Sequence, residues 1–487
     1  MIDYPELYLF NTMSRKKEKF IPQEPNKVSF YSCGQTVYQD IHVGNAKTYV
    51  AWDLLWRTLV TFGYDVMHIQ NFTDVGHLTD DGDDGDDKIQ TQAKSMNTDP
   101  MELVDSLIFE YHNSMDAINV HRPNISPRAT SHISEMIQMV ETLIDKGYAY
   151  EIKNDPGTFY YDTAKFAKYG ELAKLNLEGQ IKGSRKEVKI INQKRNPSDF
   201  ALWIKAPENH IMKYISPKYG SKILGYPGWH LECSAMAQKY LGDTIDIHAG
   251  GVDHIPVHHT NEIAQSEAIT NKQFANYWLH SEFITINGEK MSKSLNNYMS
   301  LSDLILKIGA GPTKLLLLQA HYRTQSDFSL DKAESIKIKY TRFIRSYHLG
   351  IQKLSQNSSK KVTNINSKLS NAFFDALADD LNSPLAISKI NELTKSIDDI
   401  ITDDGKLDTT HLNELTNTFE LFFETLGIPY QKLDDDEIQL VNQILENREK
   451  YRTEKDWAKS DMLRDILEIN GYTINDTNKG HEWFKLH

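Results

Sequence analysis

Apolar residues recur at helical spacing over residues 44–62, where Val50, Leu54, Leu55 and Leu59 fall on one side of a predicted helix. Two short apolar runs flank it, 28–33 (VSFYSC) and 66–72 (VMHIQNF), and both read as strands. The first is expected to end in a turn at Gly34. Strand, turn, helix and strand in this order predict a parallel α/β unit. Ligands bind such sheets at the carboxyl ends of the strands, so Gly34 to Gly44 lies at the expected binding edge. Helical patterns follow at about 101–118 and 130–146. Residues 150–225 are mixed and punctuated by Gly and Pro, as expected of an insertion. The α/β pattern resumes near Trp229, with a helix from Cys233, a strand at 244–248 and a helix over 258–269.

From about residue 303 the period changes. Long amphipathic stretches occupy 302–320, 331–354, 367–401 and 410–425, and the polar run 355–366 reads as a flexible loop. Residues 435–487 read as two helices followed by short strands. The pattern predicts an α/β class: a Rossmann-like parallel-sheet domain with an insertion, then an α-helical bundle, then a small mixed α/β C-terminal domain. The expected boundaries are 1–302, with the insertion at about 120–225, then 303–430 and 431–487.

The chain has 487 residues, enough for about three domains at roughly 150 residues each. No apolar run approaches the ~20 residues that span a bilayer, and residues 1–20 lack the apolar centre of a secretory signal. A cytoplasmic protein without a membrane partner is expected. The two cysteines, Cys33 and Cys233, are too few and too far apart for a disulfide framework. Counting leaves them open as inert buried thiols or as ligands. A formal net charge of −13 argues against indiscriminate binding to nucleic acid, which depends on many Lys and Arg. Local basic clusters at 182–195 and at Lys337, Lys339, Arg342 and Arg345 leave a specific RNA partner open. The acidic run 80–87 places Gly85 where a calcium loop needs a ligand, and it reads as a solvated loop.

Two segments carry phosphate chemistry. His42-Val43-Gly44-Asn45 precedes a predicted helix. There, glycine permits close approach, free N–H groups face an anion and the helix dipole favours it. Lys290-Met291-Ser292-Lys293-Ser294 places two lysines around a small hydroxyl-rich turn, which can close on a triphosphate and neutralise charge that grows in a transition state. In this order, about 250 residues apart, the pair resembles the HIGH and KMSKS signatures of class I aminoacyl-tRNA synthetases. The second is matched letter for letter. The first departs at Val43 and at Asn45, where that class has a second His. The resemblance implies a catalytic set of His42, Asn45, Lys290 and Lys293, with His42, Gly44, Asn45 and Lys293 on ATP.

Segments 31–38 (YSCGQTVY), 194–203 (KRNPSDFALW), 227–236 (PGWHLECSAM) and 246–267 (DIHAGGVDHIPVHHTNEIAQSE) resemble the cysteinyl-tRNA synthetases more narrowly. The likeness continues at 321–330, 378–385 and 455–465. It implies a zinc ion, one per chain, on Cys33, Cys233, His258 and Glu262. His258 and Glu262 are four apart in a helical pattern and share a face, and zinc accepts all three ligand types. It also implies that Thr73, Trp229, His248 and Asp253 surround the amino acid and that Gly250 and Gly251 lie against adenosine. The implied reaction joins cysteine to MgATP, giving cysteinyl-adenylate and pyrophosphate, and then to the 3′ end of tRNA(Cys). A soft metal explains the choice of cysteine over serine, since small steric differences supply only ~1–3 kcal/mol. A monomer is expected.

Three rivals stay open at this point: a ligase joining cysteine to a small amino-sugar acceptor, another synthetase of the class such as the methionine enzyme, and a catalytically inactive RNA-binding relative. The resemblance places the anticodon at the tail, where Arg448, Trp457, Asp461 and Trp483 are the candidate contacts, each tryptophan being equally readable as domain core.

Overall fold

The computed structural model describes residues 4–75, 88–174, 194–208, 210–286, 288–290, 298–357, 363–403, 407–477 and 480–486. The acidic run 80–87, residues 182–193 of the first basic cluster and Met291 to Ser294 lie outside the described residues.

Four parallel strands form the central sheet in the order Ala275–Ser281, Ile245–Gly251, Lys27–Thr36 and Asp65–Thr73. The chain runs from the third of these to the fourth through the helix Val43–Thr61 and later returns on the other side through Ile245–Gly251. The strand order therefore reverses between Lys27–Thr36 and Ile245–Gly251, the switch point at which such sheets bind ligands. Helices Trp229–Leu241 and His258–Thr270 flank the strand Ile245–Gly251 in sequence.

Lys27–Thr36 does not stop at Gly34 as the sequence suggested. It continues past it, with a register shift against Asp65–Thr73 between Ser32 and Gln35. The Gly34 N–H donates to Asn71 Oδ1 at 3.0 Å, and a Cβ at Gly34 would lie 1.6 Å from the Asn71 carbonyl oxygen. Glycine here allows two strands to touch rather than to turn. The helix expected from Cys233 begins earlier, at Trp229, with Gly228 as its extended N-cap.

A five-stranded antiparallel sheet is built from Ala149–Glu151, Phe159–Tyr161, Phe200–Lys205, Gly220–Pro227 and Tyr214–Ser216, in that spatial order. Past residue 300 the chain is mostly helical. The stretch 302–320 is broken at Gly309, whose φ of 93° suits glycine, into Leu301–Ile308 and Ala310–Leu318. The stretch 367–401 is broken into Ser367–Ala378 and Ser383–Thr402. The break holds Asp380 and Leu381 at φ of 61° and 54°. Asp380 is fixed there by the Phe10 N–H at 2.9 Å, the Tyr322 hydroxyl at 2.7 Å and the Arg323 guanidinium at 2.7 Å. Helices Leu330–Gln356 and Thr409–Leu426 complete the bundle.

One apolar core runs from the central sheet into the bundle. The last helices, Asp435–Thr453 and Trp457–Ile469, and the hairpin Tyr472–Thr477/Gly480–Lys485 close over a separate small core that includes Val441, Leu445, Ile474 and Trp483. Among the described residues no helix is long and apolar enough to cross a membrane.

Candidate functional site

His42 is the N-cap of Val43–Thr61, and its Nδ1 accepts the Asn45 N–H at 3.2 Å. With Nδ1 as acceptor, the neutral ring carries its proton on Nε2. Gly44 fits closely beneath that ring, since a Cβ there would lie 2.9 Å from His42 Cε1. The first turn is less open than expected. The Val43 N–H donates to the Met299 carbonyl at 3.1 Å, the Ala46 N–H to the His42 carbonyl at 3.0 Å, and Asn45 to the ring.

The same helix start lies beside Ile284, in the strand that precedes the lysine-bearing segment, and binds the residues that follow that segment. Glu289–Lys290 pairs with Ile284–Ile286, which pairs in turn with Ser326–Phe328. On the far side, Met299 binds Val43, the Leu301 N–H donates to the Ile41 carbonyl at 3.0 Å and the Tyr298 hydroxyl to the Asp40 carbonyl at 2.7 Å. Two segments about 250 residues apart in sequence are thus tied together where the lysine-bearing segment ends. Lys293 lies outside the described residues, and Lys290 is placed by its strand.

At the switch point four buried donors converge. Cys33 comes from Lys27–Thr36, Cys233 from Trp229–Leu241, and His258 and Glu262 from successive turns of His258–Thr270. Their ligand atoms all lie within 4.8 Å of one another, and His258 Nε2 is 3.0 Å from Glu262 Oε1. A tetrahedral zinc site has donor spacings of about 3.3–3.8 Å, so the cluster has the donor chemistry and nearly the dimensions of one. Burial pushes the Cys33 thiol well above its ordinary range, and the neighbouring Cys233 and Glu262 push it further. The Cys33 hydrogen bond lowers the Cys233 thiol, but burial and the Glu262 charge outweigh it and raise it overall. A bound divalent cation reverses this balance and displaces the protons.

A second set, Cys33, His248, His259 and Glu262, shares two of these donors. His259, next to His258 in the sequence, places its Nε2 3.2 Å from Cys33 Sγ. Its Nδ1 is 2.8 Å from His280 Nε2, and His280 Nδ1 is 2.8 Å from the Thr12 hydroxyl. Asn71, also missed, meets Gly34 and lies 3.7 Å from Cys233 Sγ. Its signal was available: His68, Gln70 and Asn71 are polar residues inside a strand that the apolar pattern buries.

The other candidates separate by position. Thr73 is buried at the carboxyl end of its strand, its hydroxyl accepting from Asn71 Nδ2 at 3.2 Å. Trp229 is half-buried and stacks on His258 with ring centroids 4.3 Å apart. His248 is buried and meets Glu262 Oε2 at 2.8 Å, so it touches the carboxylate opposite the oxygen facing His258. Asp253 is exposed beside Gly251. Side chains at Gly250 or Gly251 would meet His254 Nδ1 at 2.5 Å or Asp253 Oδ1 at 2.3 Å; the backbone is therefore bare at that strand end.

The tail candidates require a correction. Trp483 is 1% exposed, and its Nε1–H donates to Asn442 at 3.0 Å. Arg448 is 4% exposed and bidentate on Asp476 at 2.8 and 3.1 Å. Both are built into the small domain and are withdrawn from the surface. Trp457, 57% exposed, and Asp461 remain on the outer side.

Residues 19–338 match the model of the class I (C) tRNA synthetase catalytic domain, and 372–431 match the DALR domain. The chain is 42% identical to the cysteine–tRNA ligase of Chlorobium chlorochromatii, covering 98% of this chain and 99% of that one. It is 39% identical to that of Deinococcus radiodurans, covering 98% and 97%. In fold it is similar to the Mycobacterium tuberculosis methionyl-tRNA synthetase complexed with methionyl-adenylate, with a TM-score of 0.57 at 13% identity over 82% of this chain and 89% of that one. The Agrobacterium radiobacter K84 LeuRS–tRNA–LeuAMS complex gives a TM-score of 0.62 at 12% identity, covering 84% of each chain. The chain belongs to the cysteine–tRNA ligase family of class I tRNA synthetases.

Proposed function

We propose that this chain activates cysteine with MgATP to cysteinyl-adenylate and transfers the cysteinyl group to the 3′ end of tRNA(Cys). The observation that carries the reading is the convergence of both cysteines of the chain with His258 and Glu262 at the switch point of the sheet. The two thiols favour this set over the one built on His248 and His259, because a soft donor pair suits zinc. Zinc held there would supply a soft site that takes a substrate thiolate in preference to a hydroxyl. His248 orients Glu262 through its second oxygen, and Trp229 stacks against His258 beside the ligand set. His42 offers Nε2–H to phosphate while Asn45 holds the ring by its backbone. An asparagine in place of a second histidine keeps that backbone contact and gives up only a titratable side chain. Gly250 and Gly251 give adenosine a surface without side chains. Lys290 and Lys293 belong on the phosphates. No general base is needed; orientation and charge stabilisation supply the acceleration.

The folded tail with its own core favours tRNA over a small amino-sugar acceptor. The test is cysteine-dependent ATP–pyrophosphate exchange, followed by charging of tRNA with cysteine against serine, with metal content measured in the same preparation. Exchange and charging with cysteine, and one zinc per chain, are expected. Exchange without tRNA charging would favour the amino-sugar reading, and neither activity in the zinc-loaded protein would favour an inactive RNA-binding relative.

A further inference from the structure

Lys47 lies on the helix Val43–Thr61, shortly after His42 and Asn45. It is 1% exposed. Its ammonium donates to the Thr324 carbonyl at 2.6 Å and lies 3.4 Å from the Ser326 hydroxyl. Among the described residues no carboxylate comes within ion-pair range of it. A buried cation held by a carbonyl and a hydroxyl is costly compared with an apolar side chain of the same length. The Glu282 charge favours the cation, but burial outweighs it, so folding alone gives little reason to keep a lysine here.

The position of its acceptors gives one. Ser326 begins the strand Ser326–Phe328, which pairs with Ile284–Ile286 through Ile284↔Ser326 and Thr285↔Asp327. Asp327 Oδ1 accepts from the Thr285 hydroxyl at 2.9 Å and from the Gly288 N–H at 3.0 Å, closing the turn that leads into Glu289–Lys290. Lys290 then pairs with Thr285. A continuous set of bonds therefore runs from Lys47 through 324–328 to the strand that launches Lys290. The other end of that segment is tied separately to the helix start, through Met299 and Val43.

We propose that Lys47 is a positioning residue for adenylate formation, fixing the spacing between the His42 end of the helix and the strand that carries Lys290. The inference rests on the function proposed above. It touches neither the metal cluster nor Thr73 and Trp229, so its effect falls on the chemical step and not on cysteine binding.

Pyrophosphate exchange by the full-length, metal-loaded protein tests it. Misplacement by about 1 Å can cost on the order of a hundredfold in rate. Lys47→Met is expected to lower kcat for exchange by about tenfold or more, to leave the KM for cysteine unchanged and to leave the melting temperature equal or higher. Lys47→Arg is expected to restore part of kcat, because it keeps a cation with N–H donors facing the Thr324 carbonyl and the Ser326 hydroxyl. Asp327→Ala, at an exposed position, breaks the same connection from its other end and should reproduce the loss in kcat even if the Lys47 variants fold poorly. Wild-type kcat in Lys47→Met or in Asp327→Ala overturns the proposal. So does a fall in kcat accompanied by a raised cysteine KM and a lowered melting temperature, which would mark general loosening. Absence of exchange in the wild-type protein tells instead against the function on which the proposal rests, and the proposal falls with it.

Discussion

The Lys314 ammonium donates to Asp53 Oδ2 at 2.6 Å, and neither side chain is exposed to solvent. Arg57 reaches the same carboxylate at 3.0 Å, and the His121 N–H reaches it at 2.8 Å. Arg57 also donates to the carbonyls of Asn119 at 2.7 Å and Glu424 at 3.2 Å. The His42 helix, the helix Ala310–Leu318 and His121 thus meet at one carboxylate, and Arg57 extends the junction to Asn119 and to the end of the bundle helix Thr409–Leu426. Burial raises the Asp53 pKa, but Lys314 and Arg57 outweigh it and hold the group below its ordinary value.

Removing one partner of a buried pair leaves the other charge uncompensated, at a cost of roughly 3–5 kcal/mol. Asp53→Asn should therefore lower the unfolding midpoint sharply, since two cations lose their partner. Lys314→Met should cost much less, because Arg57 still compensates Asp53 and a buried charge is gone. Denaturant unfolding of the two variants checks this; equal losses would show that the junction is held by packing and not by the carboxylate.

Cys233→Ser tests the metal cluster. It replaces a soft donor by a hard one without changing shape, so zinc content should fall below one per chain and the KM for cysteine should rise. Chelation of the unmodified protein should do the same, and zinc alone should restore it. Full metal content with unchanged KM in the serine variant would remove Cys233 from the ligand set.

The parallel sheet, the helix after His42 and the pairing of His258 with Glu262 were legible in the sequence, because each rests on local periodicity or spacing. What was not legible depends on contact between distant segments. Gly34 reads as a turn until Asn71 is seen against it. The break at Asp380 is held by Phe10 and Tyr322, which no window around residue 380 contains. Trp483 and Trp457 are alike in composition and opposite in burial, and only the pairing of the last hairpin with the helix Asp435–Thr453 separates them. Lys47 reads as an ordinary polar position on an amphipathic helix, because its acceptors lie on residues 324 and 326.

His348 gives the tail a pH dependence. Its Nε2 lies 2.9 Å from the Gln431 carbonyl, and its Nδ1 accepts the Lys485 N–H at 3.1 Å, an arrangement only the neutral ring can make. Burial draws its pKa down to about 4, against opposition from the Gln431 carbonyl and the Glu437 charge. The unfolded value is about 6.5. The folded state therefore binds fewer protons between these values. The contribution is fully present above pH about 6.5 and is lost as pH falls towards about 4, amounting to roughly 3 kcal/mol at most. Hydrogen exchange at the Lys485 amide should show its protection factor falling through this window, and His348→Gln should flatten the fall. An identical pH course in the variant would assign the effect to other groups.

Division of labour between front and tail is the last test, and packing decides where the chain should be cut. Tyr430 meets Phe423 edge to face with centroids 5.4 Å apart, Gln431 binds His348, and Lys432 bridges Glu420 and Glu424 at 2.7 and 2.8 Å. Residues 430–432 thus hold the bundle together, and a truncation should keep residues 1–433. Such a protein retains His42, Lys293 and the four metal donors, so pyrophosphate exchange should persist. Charging of tRNA should be largely lost, because single-stranded RNA loops are read by exposed aromatic and polar surfaces and Trp457 and Asp461 are removed. In the full chain, Trp457→Ala should reduce charging while leaving exchange and stability unchanged. Trp483→Ala should instead unfold the small domain, at a cost of about 3–5 kcal/mol for a buried tryptophan, and lose charging by that route. Equal loss of exchange and charging in a soluble, folded 1–433 protein would refute the division, and full charging by Trp457→Ala would take that residue out of the RNA surface.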